Sequence, residues 1–157
     1  MYKMILVPLD GSELAEIVLP HVEVLVKACT EEAEIVILQV CEPLQSKLSG
    51  MGPGGNIVIP RLAKQAEETC MEQAKEYLAG MEKQLKGKGF KVRSELKIGS
   101  PGEEILDYAA NNSIDLIAMA SHGRSGISRW AYGSVASQVL RGIATSTLVV
   151  TPPRKKG

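Results

Sequence analysis

The residues with the clearest capacity for chemistry lie between Ala120 and Ser134. The stretch Ala120-Ser121-His122-Gly123-Arg124-Ser125-Gly126 follows the apolar run Leu116 to Ala120, and it continues to Gly133-Ser134-Val135, where a helical pattern begins. Gly123 and Gly126 allow the positive φ values and close backbone approach that let several N–H groups converge on one anion. A helix start after Gly133 adds N–H groups without intrahelical partners and the positive end of a dipole, and the Ser134 hydroxyl can donate to a phosphate oxygen. Phosphate binding suits this spacing. Glycine and serine also serve in turns and caps, so the alternative is that Ser134 only caps the last helix and Gly126 only turns the chain.

Three other side chains invite a chemical reading. His122 stands where an acid or base would be useful, but no carboxylate or nucleophile of the segment is placed to orient it, so it reads as structural. Arg124 can pair with a phosphate or point into solvent. His21 falls within a helical pattern and reads as a surface or packing residue.

The elements that must position this segment are legible in the hydrophobic pattern. Met4 to Leu9, Glu34 to Val40, Leu116 to Ala120 and Thr147 to Thr151 are nearly continuous apolar runs, as expected of parallel strands covered on both faces. In Phe90 to Ile98 the apolar Phe90, Val92, Leu96 and Ile98 alternate with Lys91, Arg93, Glu95 and Lys97, which marks an edge strand with one wet face. Between these runs lie helical patterns. The first follows Gly11-Ser12 with Leu14, Val18, Val22, Leu25 and Cys29, and Pro20 should kink or break it. A longer one places Leu62, Ala66, Cys70, Ala74, Tyr77, Met81 and Leu85 on one face and ends near Gly87 and Gly89. A third opens at Ser100-Pro101-Gly102-Glu103, where the serine can cap and the glutamate can complete a capping box. The last begins near Gly133-Ser134 and buries Val135, Val139, Leu140 and Ile143. Strand and helix alternate throughout, so the expected fold is α/β, a doubly wound parallel sheet of five strands with right-handed crossovers.

A chain of 157 residues fits one domain, 1–157, whose 42–60 segment is long for a connection. That segment holds Pro43, Gly50, Gly52, Pro53, Gly54, Gly55 and Pro60, and reads either as a flexible lid or as an insertion without a role. Acidic and basic residues balance at 18 each, which excludes a general field for nucleic acid or an anionic membrane. Cys29, Cys41 and Cys70 match no zinc spacing and read as free thiols in a reducing compartment. No apolar run reaches the roughly 18 residues that cross a bilayer, so the expectation is a soluble, cytoplasmic protein.

The motif segment resembles the universal stress protein family, whose nucleotide-binding members carry G-x-x-G, nine residues, then Gly followed by Ser or Thr. Here Gly123 is followed by nine residues and then Gly133-Ser134, while Ala120 stands at the first glycine. Ile5-Leu6-Val7-Pro8-Leu9-Asp10-Gly11-Ser12 is similar to the family's first strand and turn, and Ser146 to Val150 to its last strand. The resemblance implies a Rossmann-like sheet of the adenine nucleotide alpha hydrolase type, order 3-2-1-4-5, and an ATP-binding regulator of stress responses. It implies that Asp10 accepts from the ribose hydroxyls, that Val40 meets adenine through its backbone, and that Pro8, Leu9 and Met119 wall the base. Ala120 would lie beside the nucleotide. Gly123, Gly133, Ser134 and Val135 would hold the phosphates with Arg124 nearby, together with any Mg2+ those phosphates carry. It also implies a homodimer joined through Thr147 to Thr151, an exposed edge that invites pairing, although Pro152-Pro153 can also protect a monomer's edge.

Two other readings stand beside this one. A slow ATPase or autophosphorylating enzyme would use Ser125 or Ser134 as acceptor, but phosphoryl transfer needs metal ligands, and Asp10 has no clear second carboxylate. An interaction module would bind cyclic AMP or no nucleotide. There is no G-x-x-x-x-G-K-[ST] loop, no G-x-G-x-x-G after the first strand and no S-G-G-x-D-S segment.

Overall fold

The computed structural model describes residues 2–29, 33–44, 60–122 and 132–152. Five parallel strands, β1 (Met4–Pro8), β2 (Glu34–Cys41), β3 (Lys91–Ile98), β4 (Leu116–Ala120) and β5 (Ser146–Val150), form one sheet in the order β3-β2-β1-β4-β5. The order reverses direction beside β1, so β1 and β4 flank the switch point at which open α/β sheets leave a crevice beyond their carboxyl ends.

Side-chain alternation along each strand assigns the two faces. Ile5, Val7, Ile35 and Ile37 point to one core, and Leu6, Val36, Leu38, Ile117 and Met119 to the other. The first core is covered by α1 (Glu13–Glu16), α2 (Leu19–Ala28) and α3 (Pro60–Gly87); the second by α4 (Pro101–Asn111) and α5 (Ser134–Gly142). The doubly wound arrangement and its strand order are therefore as the sequence implied. Pro20 does break the first helix: α1 ends at Glu16, and Pro20 sits in the first turn of α2, where its missing N–H costs no helical bond.

Several local expectations change. Leu62 is 54% exposed and Ala66 is exposed, because the described core beneath α3 begins only at Ala74 and continues through Leu78, Met81 and Leu85. In α5 the inward positions are Ala136 and Val139, while Leu140 faces outward and Val135 and Ile143 are half-buried. Ser100 precedes α4 in extended conformation but makes no side-chain cap bond; its carbonyl accepts from Glu104 N at 2.9 Å, so the capping box does not form. The strand β5 is half-buried rather than fully covered, since it is an edge with β4 on one side only.

The thiols also differ from expectation. Cys41, fully buried at the end of β2, is disulfide-bonded to Cys70 of α3 with their Cα atoms 6.1 Å apart, and only Cys29 is free. Their 29-residue separation in sequence hid a contact that exists only because α3 packs back over β2. Two of the three cysteines thus cease to be an argument for a reducing compartment.

At the opposite end of the sheet, Asp115 ties β1 to β4. Its Oδ2 accepts from Lys3 N at 2.8 Å and Met4 N at 2.9 Å, and its own N–H donates to Met4 O at 3.0 Å. Those two backbone donors hold the Asp115 carboxyl below the usual carboxylate range.

Candidate functional site

The carboxyl ends of β1, β2 and β4 and the start of α5 enclose a cleft of about 300 Å3. Pro8 and Leu9 come from the end of β1, Gln39 and Val40 from β2, and Met119 and Ala120 from β4. Gly133, Ser134 and Val135 enter from the first turn of α5. Asp10, in the turn leaving β1, completes the set. Nine of the residues singled out in the sequence therefore meet at one place, while Gly123 and Arg124 lie outside the described residues, as do Ser125, Gly126 and positions 45–59.

The backbone of β2 explains why Val40 belongs here. The ladder between β1 and β2 runs from Met4↔Glu34 to Pro8↔Leu38 and ends with Leu9 N donating to Leu38 O at 2.9 Å. Backbone groups alternate direction along a strand. Those of Cys41 turn toward β3, where its carbonyl accepts from Gly99 N at 3.0 Å, so the N–H and C=O of Val40 face the β1 side beyond the point where β1 stops. A donor and an acceptor thus lie side by side at the cleft.

Asp10 combines two roles. Its Oδ1 accepts from Ser12 N at 3.0 Å and Ser12 Oγ at 2.5 Å, which closes the turn at Gly11, whose φ of +80° suits glycine. Ser12 in turn caps α1 by accepting from Ala15 N. Asp10 also lines the cleft.

At α5 the cap is Gly133 and not Ser134. Gly133 has no side chain to make a cap bond, and Ser134 is the first helical residue, so its hydroxyl does not stand at the cap position. Gly133 N donates to Ser121 O at 2.8 Å, bringing the helix start against the end of β4. A Cβ at position 133 would stand 3.2 Å from that same carbonyl oxygen, which is why a residue without one fits. Ala120 ends β4 in regular pairing opposite Val150, so its backbone needs no glycine; its methyl is buried.

Sequence reasoning left two side chains out of the site. His122 is 8% exposed and its Nδ1 lies 2.9 Å from Ser121 Oγ. Gln39 is 6% exposed within the otherwise apolar end of β2. Both line the cleft, and Gln39 Oε1 and His122 Nε2 are the buried side-chain polar atoms without a hydrogen-bond partner among the described residues. Buried polar groups are ordinarily satisfied, and where they are not a ligand or water is expected. The one available signal for Gln39 was a polar residue inside a strand whose neighbours are Leu38 and Val40.

The fold is that of a doubly wound α/β protein with a cleft at its switch point. Residues 1–151 match the family model described as the universal stress protein family, and the chain belongs to that family. It is 33% identical to universal stress protein MJ0577 of Methanocaldococcus jannaschii, covering 96% of this chain and 95% of that one. It is 30% identical to universal stress protein Sll1388 of Synechocystis, over 95% and 97%. The solved structure of MJ0577 superposes with a TM-score of 0.83 over 100% of this chain and 99% of that one. A universal stress family protein of Arabidopsis thaliana with AMP bound shares the fold at a TM-score of 0.65 and 14% identity, covering 96% of this chain and 92% of that one. No helix among the described residues is long and apolar enough to cross a membrane.

Proposed function

We propose that this chain is a cytoplasmic regulator that binds an adenine nucleotide, ATP in the first instance. The observation that carries the reading is the meeting, in one cleft, of the Val40 N–H and C=O pair with the N-terminus of α5. The pair matches adenine's N1 acceptor and 6-amino donor, and the helix start suits phosphates. Asp10 lines the same cleft, and its carboxylate would accept from the ribose hydroxyls. AMP is bound by the Arabidopsis protein, and a universal stress protein of the same fold was solved in complex with cyclic AMP. Both ligands would share the base and ribose contacts. Any Mg2+ would be carried by the phosphates of the ligand. Mass spectrometry of small molecules released from freshly purified protein, followed by calorimetry with ATP, ADP and cyclic AMP, tests this. A retained adenine nucleotide is expected; no nucleotide and no heat at millimolar ligand would refute it.

The same proposal includes a homodimer through β5. Val150 O accepts from Ser121 N at 2.8 Å, so the backbone groups of Val149 point to the open edge. A Val149→Pro substitution removes an outward N–H without touching the bonds to β4. Sedimentation should show a dimer for the parent chain and a shift toward monomer for the variant.

A further inference from the structure

We infer that the Cys41–Cys70 cystine is a thiol–disulfide exchange site that sets nucleotide affinity: closed, it holds the cleft in its binding shape, and opened by a dithiol reductant it loosens the ligand. The inference rests on the nucleotide reading above and adds its regulation. Cys41 directly follows Val40, whose backbone pair faces the cleft, and Cys70 is itself part of the cleft wall. One covalent bond therefore joins the strand that carries the base contacts to a helix that walls the same cleft. Among the described residues the first turns of α3 have little else to hold them. From Pro60 to Gln73 every residue is exposed or half-buried, and the buried face of the helix begins at Ala74. Opening the cystine frees those turns to move away from β2, while Ala74, Leu78, Met81 and Leu85 keep the rest of α3 on the sheet. A wall fixed in advance spares the ligand the cost of ordering it, so the closed form binds more tightly. In a cytoplasm, moreover, disulfides are as a rule transient and redox-sensing. Cys41 is 1% exposed and Cys70 half-buried, so an incoming thiolate meets the cystine from the Cys70 side. It bonds to Cys70 Sγ and displaces Cys41 Sγ, which takes up a proton. The second thiol of the reductant, losing its proton, then displaces Cys70 Sγ, which is protonated in turn. The protein gains two electrons and two protons, and the dithiol becomes a disulfide.

The test uses the full chain carrying Cys29→Ser, so that reduction exposes only the thiols of Cys41 and Cys70. ATP is titrated calorimetrically into the oxidised and the dithiothreitol-reduced chain, with circular dichroism showing that both are folded. The oxidised form should bind ATP about tenfold more tightly. Linkage then requires saturating ATP to make the cystine harder to reduce by the same factor, which moves its midpoint potential more negative by about 30 mV in dithiothreitol redox buffers. Cys70→Ser in the same chain should bind with the affinity of the reduced form and ignore reductant. Equal or tighter binding by the reduced chain, an unshifted potential, or a Cys70→Ser chain that still responds to reductant would overturn the switch and leave the nucleotide reading intact. So would a reduced chain that is unfolded, since the cystine would then serve stability alone. Failure of both redox forms to bind ATP would instead overturn the nucleotide reading together with this inference. The comparison of oxidised with reduced chain needs no substitution at the cystine, so it stands even if Cys70→Ser folds poorly.

Discussion

Gly133→Ala separates phosphate recognition from base recognition in one substitution. The backbone at position 133 has φ −57° and ψ 161°, which alanine adopts without strain, so the perturbation is purely steric. The new Cβ would lie 3.2 Å from Ser121 O, 3.6 Å from His122 Cα and 3.9 Å from His122 Cδ2. The tight contact is with a backbone oxygen that also receives Gly133 N–H at 2.8 Å, so it cannot swing aside as a side chain could. Relief requires the start of α5 to move by a few tenths of an ångström, at a cost to folding of about 1 kcal/mol. That displacement falls on the N–H groups of Ser134 and Val135, which would face a phosphate, while the Gly133 N–H is held by Ser121 O. A hydrogen bond to a charged acceptor contributes about 1.5–3 kcal/mol, so the loss of one weakens binding by at least about tenfold. Calorimetry should therefore show ATP affinity falling by about tenfold or more, with adenosine, which lacks phosphates, changed by less than about twofold. If ATP and adenosine weaken by the same factor, the helix start is not the phosphate site. If ATP binding is unchanged, the steric argument itself is wrong.

Other expectations follow from single contacts. Ser134→Ala should leave the melting temperature nearly unchanged, because the hydroxyl does not stand at the cap position, yet weaken ATP by about tenfold; a loss of about 1 kcal/mol of stability would show that it caps the helix after all. Cys70→Ser, or reduction of the wild type, should lower stability in urea by up to about 3.5 kcal/mol on the chain-entropy estimate for a closed loop near 30 residues, and reductant should not affect the variant further. Asp115→Ala should cost about 1 kcal/mol, discounted for exposure, by freeing two N–H groups of β1. Because the folded protein holds this carboxyl below its ordinary range, its contribution is present above the unfolded value and is lost as the pH falls through the folded one. Urea melts at pH 6 and in the acidic carboxylate range should therefore show the wild type and the variant converging in stability as the pH drops.

The pattern of residues by itself determined which segments become strands, where Pro20 breaks the first helix, and that the chain between Ala120 and Ser134 leaves a strand and enters a helix. These are local matters of periodicity and backbone chemistry, carried by near neighbours in the chain. Membership of a family with this fold was legible in the same residues. Tertiary structure decided the rest, for a physical reason common to each case: the partner is remote in sequence. Cys41 meets Cys70 only after α3 folds back across β2. Leu140 loses its place in the core to Ala136 because of how α5 is rolled against α4, and Leu62 stays exposed while the described core beneath α3 begins further along, at Ala74. The Val40 backbone is open only because β1 stops at Pro8, which no property of β2 announces. Ser134 is free for a ligand because Gly133 takes the cap position against the carbonyl of Ser121. Gln39, one polar letter in an apolar strand, is found at the cleft only because the ends of β1 and β2 and the start of α1 meet there.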